Sequence, residues 1–229
     1  MSSYDAIAPL YDLWAADMTE DVDFYAALAE DAEGPIVELA VGTGRVAIPV
    51  AKHTGKHVLG IDSSPAMLAL AGERAANAGI DLELRECDMR ELTLEEPAAL
   101  VYCPFRSLLH LPTWEDRRRV FERVAANLRP GGRFAWNAFV FDFAIAGRLH
   151  GRWHEEPVRH HIDHIPTDNR IDIAFDTGAR TSLWWVTRSE WEALLDASGL
   201  QTEALYGWFD RRPFDADSRE FVWVARRPR

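Results

Sequence analysis

The chain has 229 residues, of which 48% are hydrophobic and 11% aromatic, a composition typical of folded globular proteins with a sizeable core. A net charge of -12 argues against nucleic acid as a partner, because lysine and arginine must neutralise its phosphates. We also expect no membrane partner, since no run approaches the roughly 18 apolar residues that a membrane helix needs. Only Cys87 and Cys103 are thiols, and the N-terminus has neither a basic nor an apolar segment. We therefore expect a cytoplasmic protein without disulfides.

Two amphipathic helices are predicted before the first strand. Residues 2–16 carry apolar side chains at helical spacing, and residues 21–32 repeat that pattern until Glu33-Gly34-Pro35 stops it. Short apolar strands then alternate with helices. The predicted strands are 36–41, 57–61, 80–86, 98–103 and 133–141, and the helices between them are 46–52, 65–78 and 114–128. This alternation predicts a parallel, doubly wound sheet that binds its ligand at the carboxyl ends of the strands.

The pattern changes after the fifth strand. Strand-like segments at 158–165, 170–175 and 180–186 predict a small antiparallel insertion over the site, with a turn at residues 166–169. A helix follows at 187–198, and an antiparallel strand pair at 202–208 and 218–225 closes the sheet edge. We therefore predict one α/β domain with four parts. These are an N-terminal helical lid (1–33), a cofactor-binding core (34–141), an acceptor-side insertion (142–188) and a C-terminal helix with its strand pair (189–229).

A glycine loop follows the first strand and is compatible with two cofactors. Residues 42–47, Gly-Thr-Gly-Arg-Val-Ala, fit the dinucleotide pattern G-x-G-x-x-G/A. The stretch from Glu38 to Gly44 also resembles a methyltransferase loop. Glycine allows close backbone approach to a ligand, and the amides at a helix start are free to donate. The loop alone leaves both readings open.

Five stretches in order from Val37 to Phe141 together resemble the class I S-adenosylmethionine-dependent methyltransferases of the small-molecule type. They are Glu38-Leu39-Ala40-Val41-Gly42-Thr43-Gly44-Arg45, the strand end from Gly60 to Leu68, Cys87-Asp88-Met89, the loop from Cys103 to Leu111, and the turn from Leu128 to Arg133. The resemblance implies a Rossmann-like seven-stranded sheet with an antiparallel last strand. It also implies methyl transfer from S-adenosyl-L-methionine to an oxygen or nitrogen of a small-molecule acceptor. The chain departs from the family at Ala40, which replaces a glycine, and at Cys103-Pro104, where many members carry an acid.

Several residues are candidates to bind the cofactor. Asp62, at the tip of the second strand, is placed to accept both hydroxyls of a ribose, although a cap of the next helix would also explain it. Glu38 suits the methionine ammonium, and Asp88 the adenine amino group beside Met89. Local hydrogen bonding or capping is the alternative for both acids. One further candidate is Tyr11, whose face suits a sulfonium, although core packing would explain it equally well. The remaining candidates are Ala40, Gly42, Gly44, Ser63, Met67 and Cys103.

The acceptor side is less defined by sequence, because methyl transfer needs no fixed catalytic motif. His110 follows the fourth strand and is the best candidate for a general base, although histidine is also an ordinary loop or helix-entry residue. Arg106, Trp153 and Trp184 are candidates to line an acceptor pocket, with the arginine facing a carboxylate. Core and lid packing would explain the tryptophans at least as well. The histidines at 160, 161 and 164 suggest a metal, but neighbouring residues of a strand point to opposite faces, so we expect none.

Three functional hypotheses follow. The first is methyl transfer to a small molecule. The second is a nicotinamide-dependent oxidoreductase, which the glycine pattern and Asp62 favour but the antiparallel end of the sheet opposes. The third is a non-catalytic protein that binds S-adenosylmethionine, which the missing acid after the fourth strand suggests. The sequence does not indicate an oligomeric state.

Overall fold

The structure is a computed structural model that describes residues 3–15 and 18–229. Its strands are β1 (Ile36–Leu39), β2 (Val58–Asp62), β3 (Glu83–Glu86), β4 (Ala98–Cys103), β5 (Leu128–Phe139), β6 (Arg152–His154), β7 (His160–Ile165), β8 (Arg170–Phe175), β9 (Arg180–Trp184), β10 (Gln201–Tyr206) and β11 (Glu220–Arg226). Its α-helices are α1 (Tyr11–Trp14), α2 (Glu20–Glu30), α3 (Ala47–Thr54), α4 (Pro65–Ala78), α5 (Trp114–Asn127), α6 (Phe143–Leu149) and α7 (Arg188–Ser198). Single 3₁₀ turns lie at Ser3–Ala6, Met89–Glu91, Ser107–His110 and Pro166–Asp168.

The main sheet has seven strands in the order β10-β11-β5-β4-β1-β2-β3. β1 to β5 pair in parallel, whereas β11 is antiparallel to both β5 and β10. The predicted doubly wound α/β fold with an antiparallel last strand is therefore confirmed. Parallel connections bring the carboxyl ends of β1, β2 and β4 to one edge, where such sheets bind ligands.

Helices cover both faces of this sheet. On one face, α2 and α3 contribute Phe24, Leu28 and Val50 to a buried cluster with strands β1, β4 and β11. On the other face, α5 and α7 pack Phe121 and Trp191 against the opposite sides of the strands. Because both faces are buried, every residue of β1 and β4 is buried, which explains why these strands read as continuous apolar runs.

The cofactor-side helix α4 has the predicted bounds. The Ser64 hydroxyl accepts the Met67 N–H at 3.2 Å, Pro65 occupies the first turn, and Gly79 ends the helix at φ 67°. These three signals are local in sequence, so the helix begins and ends where they stand.

The N-terminal segment differs from the predicted helix over residues 2–16. It consists of a 3₁₀ turn at Ser3–Ala6, a non-helical turn and the four-residue α1, while residues 2 and 16 lie outside the described part. Pro9 explains the break, because proline inside a helix removes a hydrogen bond and clashes with the preceding turn.

The insertion forms a second, four-stranded antiparallel sheet in the order β6-β7-β8-β9. The sequence predicted three of these strands and missed β6 and helix α6. Both are short: β6 has 3 residues and α6 has 7, with Asp142 accepting from two backbone amides at the start of the helix. Segments of this length carry too few residues to show a period.

Candidate active site

A cavity of about 360 Å³ lies at the carboxyl ends of β1, β2 and β4. The main sheet forms its floor, the N-terminal segment (residues 3–15) covers it, and β8 and β9 of the small sheet form a side wall. Of the residues predicted to form the site, the cavity is lined by Tyr11, Ala40, Gly42, Asp62, Ser63, Met67, Asp88, Met89, Arg106 and His110. Candidates from five separate chain segments therefore meet in one place.

The glycine loop has the left-handed backbone that a close approach requires. Ala40, Gly42 and Gly44 have φ values of 53°, 56° and 78°. At the φ of Gly44 a side chain is strained whatever space surrounds it, and a Cβ there would also lie 2.8 Å from Ile48 Cδ1 of α3. Ala40 adopts the conformation at a cost of roughly 1–2 kcal/mol, because its Cβ is crowded by the carbonyl oxygen. The position where the resemblance implies a glycine thus keeps a left-handed backbone.

Asp62 joins the glycine loop to helix α4. Its Oδ2 accepts the Gly42 N–H at 2.9 Å and its Oδ1 accepts the Ser64 N–H at 2.8 Å. Burial raises the pKa of this carboxyl above its usual range. The Asp62 carboxylate therefore lines the cavity wall in an orientation fixed by backbone amides of the glycine loop and of the start of α4.

Asp88 is engaged by its neighbour Arg90. The Arg90 Nη2 donates to Asp88 Oδ2 at 2.6 Å, and the Arg90 backbone N–H donates to Oδ1 at 2.9 Å. The side-chain bonds from Arg90 hold the pKa of Asp88 below its usual range. The capping alternative is thus realised at this position, and contact with adenine stays a prediction.

Three predicted cofactor residues do not line the cavity: Glu38, Gly44 and Cys103. Glu38 is 1% exposed, and its Oε2 has no hydrogen-bond partner among residues 3–15 and 18–229. Burial raises the pKa of Glu38 well above its usual range. Burial likewise raises the pKa of the Cys103 thiol, which is enclosed at the end of β4. Their predicted roles remain predictions.

The N-terminal segment contacts three loops at the strand ends. The Tyr11 ring packs over Gly42, where a Cβ would lie 3.6 Å from the ring. It also makes an edge contact with Phe105, at 5.7 Å between ring centroids. Thr43 Oγ1 donates to Asp12 Oδ1 at 2.9 Å. Arg74 also pairs with Asp12, and the Ser64 hydroxyl donates to Asp5 at 2.6 Å. The segment therefore closes the cavity through polar contacts as well as through packing.

His110 belongs to a hydrogen-bonded chain that crosses three elements. The Tyr4 hydroxyl donates to Nε2, and Nδ1–H donates to the Ser182 carbonyl oxygen at 2.9 Å. These partners assign the neutral tautomer with the proton on Nδ1. Burial lowers the pKa of His110 to about 4. His110 is thus neutral near pH 7 and a weak base.

Arg45 and Asp21 were missed by the sequence analysis. The Arg45 Nη1 donates to Asp21 Oδ1 at 2.9 Å and to the Met18 carbonyl oxygen at 2.7 Å. Its guanidinium lies 4.8 Å from the centroid of Phe105. The Asp21 side chain has no solvent exposure, so this pair fixes the start of α2 against the glycine loop. Only an acid at the first turn of α2 hinted at the contact.

Trp153 and Trp184 do not line the cavity, which corrects their predicted place in an acceptor pocket. Trp153 is 47% exposed and stacks under Arg159. Thr181 and Leu183 of β9 do line the cavity. Side chains alternate along a strand, so Trp184, next to Leu183, points to the other face. Alternation within β9 was the signal that the sequence analysis did not use.

The histidines of the insertion point to opposite faces, as predicted. His160 contacts Trp14 at 4.7 Å between centroids, whereas His161 contacts Trp153 at 5.4 Å. Within residues 3–15 and 18–229, no three His, Cys, Asp or Glu side chains are grouped to hold a metal ion. No helix of the same residues has the length and apolar character to cross a membrane.

This arrangement is that of an α/β enzyme that holds a nucleoside-containing cofactor at its strand ends. A family profile described as a methyltransferase domain matches residues 36–132. The chain is 27% identical over 212 residues to the dTDP-4-amino-2,3,4,6-tetradeoxy-D-glucose N,N-dimethyltransferase of Saccharopolyspora spinosa, covering 85% of this chain and 82% of that protein.

Solved structures agree with this match. The CcbJ methyltransferase from Streptomyces caelestis is similar with a TM-score of 0.83 and 27% identity, covering 100% of this chain and 99% of that one. S-adenosylmethionine-bound CalS10 from Micromonospora echinaspora, an amino pentose methyltransferase, shares the fold with a TM-score of 0.69, 24% identity and 93% coverage of both chains. The protein is an S-adenosylmethionine-dependent methyltransferase of the class I fold that acts on a small-molecule acceptor. The leading hypothesis is confirmed, and none of these relatives is an oxidoreductase.

Proposed function

We propose that the acceptor atom is the nitrogen of a small, neutral amine. The observation that carries this proposal is the state of His110, the histidine on the acceptor side of the cavity. Its pKa is lowered to about 4 by burial, and its Nδ1–H is already donated to a backbone carbonyl. Such a group cannot remove a proton from an alcohol, whereas a neutral amine is nucleophilic without a base.

The residues at the strand ends fit S-adenosylmethionine. Asp62 presents a carboxylate, which is an acceptor when ionised, at the cavity wall for the two ribose hydroxyls. Ala40 and Gly42 offer a left-handed backbone at the cavity wall. We assign Met67 and Met89 to the apolar walls of the adenosine site, since both line the cavity. When bound, the cofactor supplies an electrophilic methyl group on a sulfonium, whose transfer is an in-line displacement.

The protein contributes orientation, exclusion of water and a medium that favours the neutral amine. Tyr11 and Phe105 meet edge to face above the glycine loop, and their π faces suit a cationic group. Ile7, Ile173 and Phe175 add apolar surface. An ammonium group loses solvation in such surroundings, so its pKa falls and the population of the neutral, nucleophilic amine rises.

A relative supports the choice of nitrogen. The Saccharopolyspora spinosa protein is named for N,N-dimethylation of an amino sugar and aligns with 85% of this chain. A different match, 32% identical over 114 residues, is named as a 27-O-demethylrifamycin SV methyltransferase, but it covers only 41% of that protein. The longer alignment includes the insertion side of the cavity, where the acceptor is expected.

The test is a panel of small amines paired with alcohols of the same skeleton, such as cyclohexylamine with cyclohexanol and an amino sugar with its parent sugar. Formation of S-adenosylhomocysteine is measured by mass spectrometry at pH 8. We expect turnover with amines and none with the paired alcohols. Turnover of an alcohol without its amine would contradict the assignment of nitrogen.

The cofactor roles are tested separately by isothermal titration. We expect Asp62→Ala to weaken S-adenosylmethionine binding at least tenfold, because two hydroxyl contacts are lost. Asp163→Ala, which removes a carboxylate of β7 that does not line the cavity, is the matched control and should leave the affinity unchanged. Equal affinities for both variants would remove Asp62 from the site.

A further inference from the structure

Arg106 reaches the cavity from a buried polar network beneath it. Its Nη2 donates to Glu220 Oε2 at 2.8 Å, and its Nε lies 3.1 Å from Glu220 Oε1. Asn137 Nδ2 donates to the same Oε1 at 2.6 Å, and the Tyr25 hydroxyl donates to Asn137 Oδ1 at 3.1 Å. The network runs from the cavity wall to the core between α2 and the sheet.

The partners of Arg106 belong to rigid parts of the sheet. Glu220 begins β11 opposite Phe139 of β5, and both Glu220 and Asn137 are fully buried. The guanidinium of Arg106 lies 5.6 Å from the centroid of the Phe139 ring. Paired hydrogen bonds to a fixed carboxylate, together with this ring contact, hold the guanidinium in one orientation.

The backbone at this point is strained. Phe105 and Arg106 follow each other with φ values of 55° and 63°, a region that side chains with a Cβ rarely occupy. Strained residues persist where the surroundings determine them, and they cluster at functional sites. The left-handed backbone at these two residues directs the Phe105 side chain toward Tyr11 and the Arg106 side chain toward Glu220. The orientation of Arg106 is therefore imposed by the fold.

The network also cancels the charge of Arg106. Glu220 is its ion-pair partner, and Nη1 has no hydrogen bond within the described residues. Arg90 pairs with Asp88, while Asp62 accepts two backbone amides. Both arginines described at the cavity wall are thus paired with a carboxylate. An anionic group on an acceptor would lose its hydration without meeting an uncompensated cation of the protein.

We propose that Arg106, positioned by Glu220, donates a hydrogen bond to an uncharged hydroxyl or carbonyl group of the acceptor. The enzyme then selects amines that carry such a group over amines that carry a carboxylate. Arg106 is the contact, and Glu220 is a positioning residue. This inference rests on the proposed amine acceptor, and it replaces the carboxylate that the sequence suggested as partner of Arg106, because Glu220 already fills that role.

The test uses two probes of nearly equal shape, trans-4-aminocyclohexanecarboxamide and trans-4-aminocyclohexanecarboxylate. Each is titrated calorimetrically into the enzyme saturated with S-adenosylhomocysteine. We expect the wild type to bind the carboxamide more tightly. Glu220→Gln leaves the guanidinium uncompensated and should shift the affinity ratio about tenfold toward the carboxylate, since charge-assisted bonds are roughly twice as strong as neutral ones.

Two further variants complete the design. Glu203→Gln makes the same change at an acid that pairs with Arg133 and Arg226 on the sheet edge, and it should leave the ratio unchanged. The charge-neutral double variant Arg106→Gln/Glu220→Gln should bind the carboxamide about tenfold more weakly, because the guanidinium donor is lost. Melting temperature and S-adenosylhomocysteine affinity are recorded for every variant.

Each outcome is decisive. The inference would be overturned if the wild type binds both probes equally, prefers the carboxylate or binds neither. It would also be overturned if the ratio of the two affinities is the same in Glu220→Gln as in Glu203→Gln. If Glu220→Gln does not fold, wild-type affinity of the double variant for the carboxamide would overturn it. Failure of the proposed function is recognised separately, because it appears as turnover of alcohols without their paired amines.

Discussion

The buried histidine of the cavity makes a prediction about stability and pH. In the folded protein the pKa of His110 is lowered to about 4, against an ordinary value of 6.5. As pH falls below 6.5, the unfolded chain binds a proton at this position before the folded protein does. Stability is therefore fully present above pH 6.5 and is lost as pH falls toward 4.

The size of the effect follows from the same two pKa values. Linkage gives a loss of about 2 kcal/mol from His110 between pH 7.5 and pH 5.0. This figure is an upper value, since the side chain keeps some contact with solvent. His110→Gln retains an acceptor for Tyr4 and a donor for Ser182 but has no proton to bind in this range.

The assay is urea unfolding of both proteins at pH 7.5 and pH 5.0, monitored by tryptophan fluorescence. We expect the wild type to lose about 2 kcal/mol more than His110→Gln over this interval. Carboxylates that titrate nearby contribute equally to both proteins and cancel. Equal losses would refute the reasoning, and an imidazole pKa near 6.5 measured by NMR in the folded protein would refute its premise.

Three further predictions concern the loop, the ion pair beneath it and the lid. Ala40→Gly should raise the free energy of unfolding by up to about 1 kcal/mol in urea unfolding, because glycine adopts the left-handed backbone without strain. The control Ala69→Gly, on the exposed face of α4, should lower it by about 1 kcal/mol. A lower free energy of unfolding for both variants would contradict the proposal that Ala40 is strained. Arg45→Met leaves the buried Asp21 carboxylate without its cation and should lower the free energy of unfolding by about 3–5 kcal/mol in the same assay. The double variant Arg45→Met/Asp21→Asn should recover part of this loss, and no recovery would show that the unpaired charge does not cause it. Asp12→Asn weakens the ion pair that holds the N-terminal segment to Arg74 and should speed cofactor dissociation about two- to fivefold in stopped-flow measurements. We expect 0.5 M salt to reproduce this effect in the wild type. An unchanged rate would mean that the N-terminal segment does not limit cofactor release.

Local sequence signals were sufficient for the core of the fold. The apolar runs of β1 and β4, the glycine loop and the capped helix α4 each depend on residues that are neighbours in the chain. Alternation of such segments implies parallel strands, and parallel strands bring their carboxyl ends to one edge. The position of the cofactor side of the site, including Ala40, Gly42 and Asp62, follows from that rule.

Tertiary structure decided the acceptor side. Tyr4 and His110 are 106 residues apart, and Arg106 and Glu220 are 114 apart, so no local pattern links them. Side chains alternate along β9, so a shift of one residue in the register of this strand would move Trp184 to the other face of the sheet. The sequence determined the methyl donor, because each of the five stretches that carry the family resemblance is local and their order along the chain is visible. The acceptor pocket depended on long-range packing, because its walls come from segments that meet only after the chain has folded.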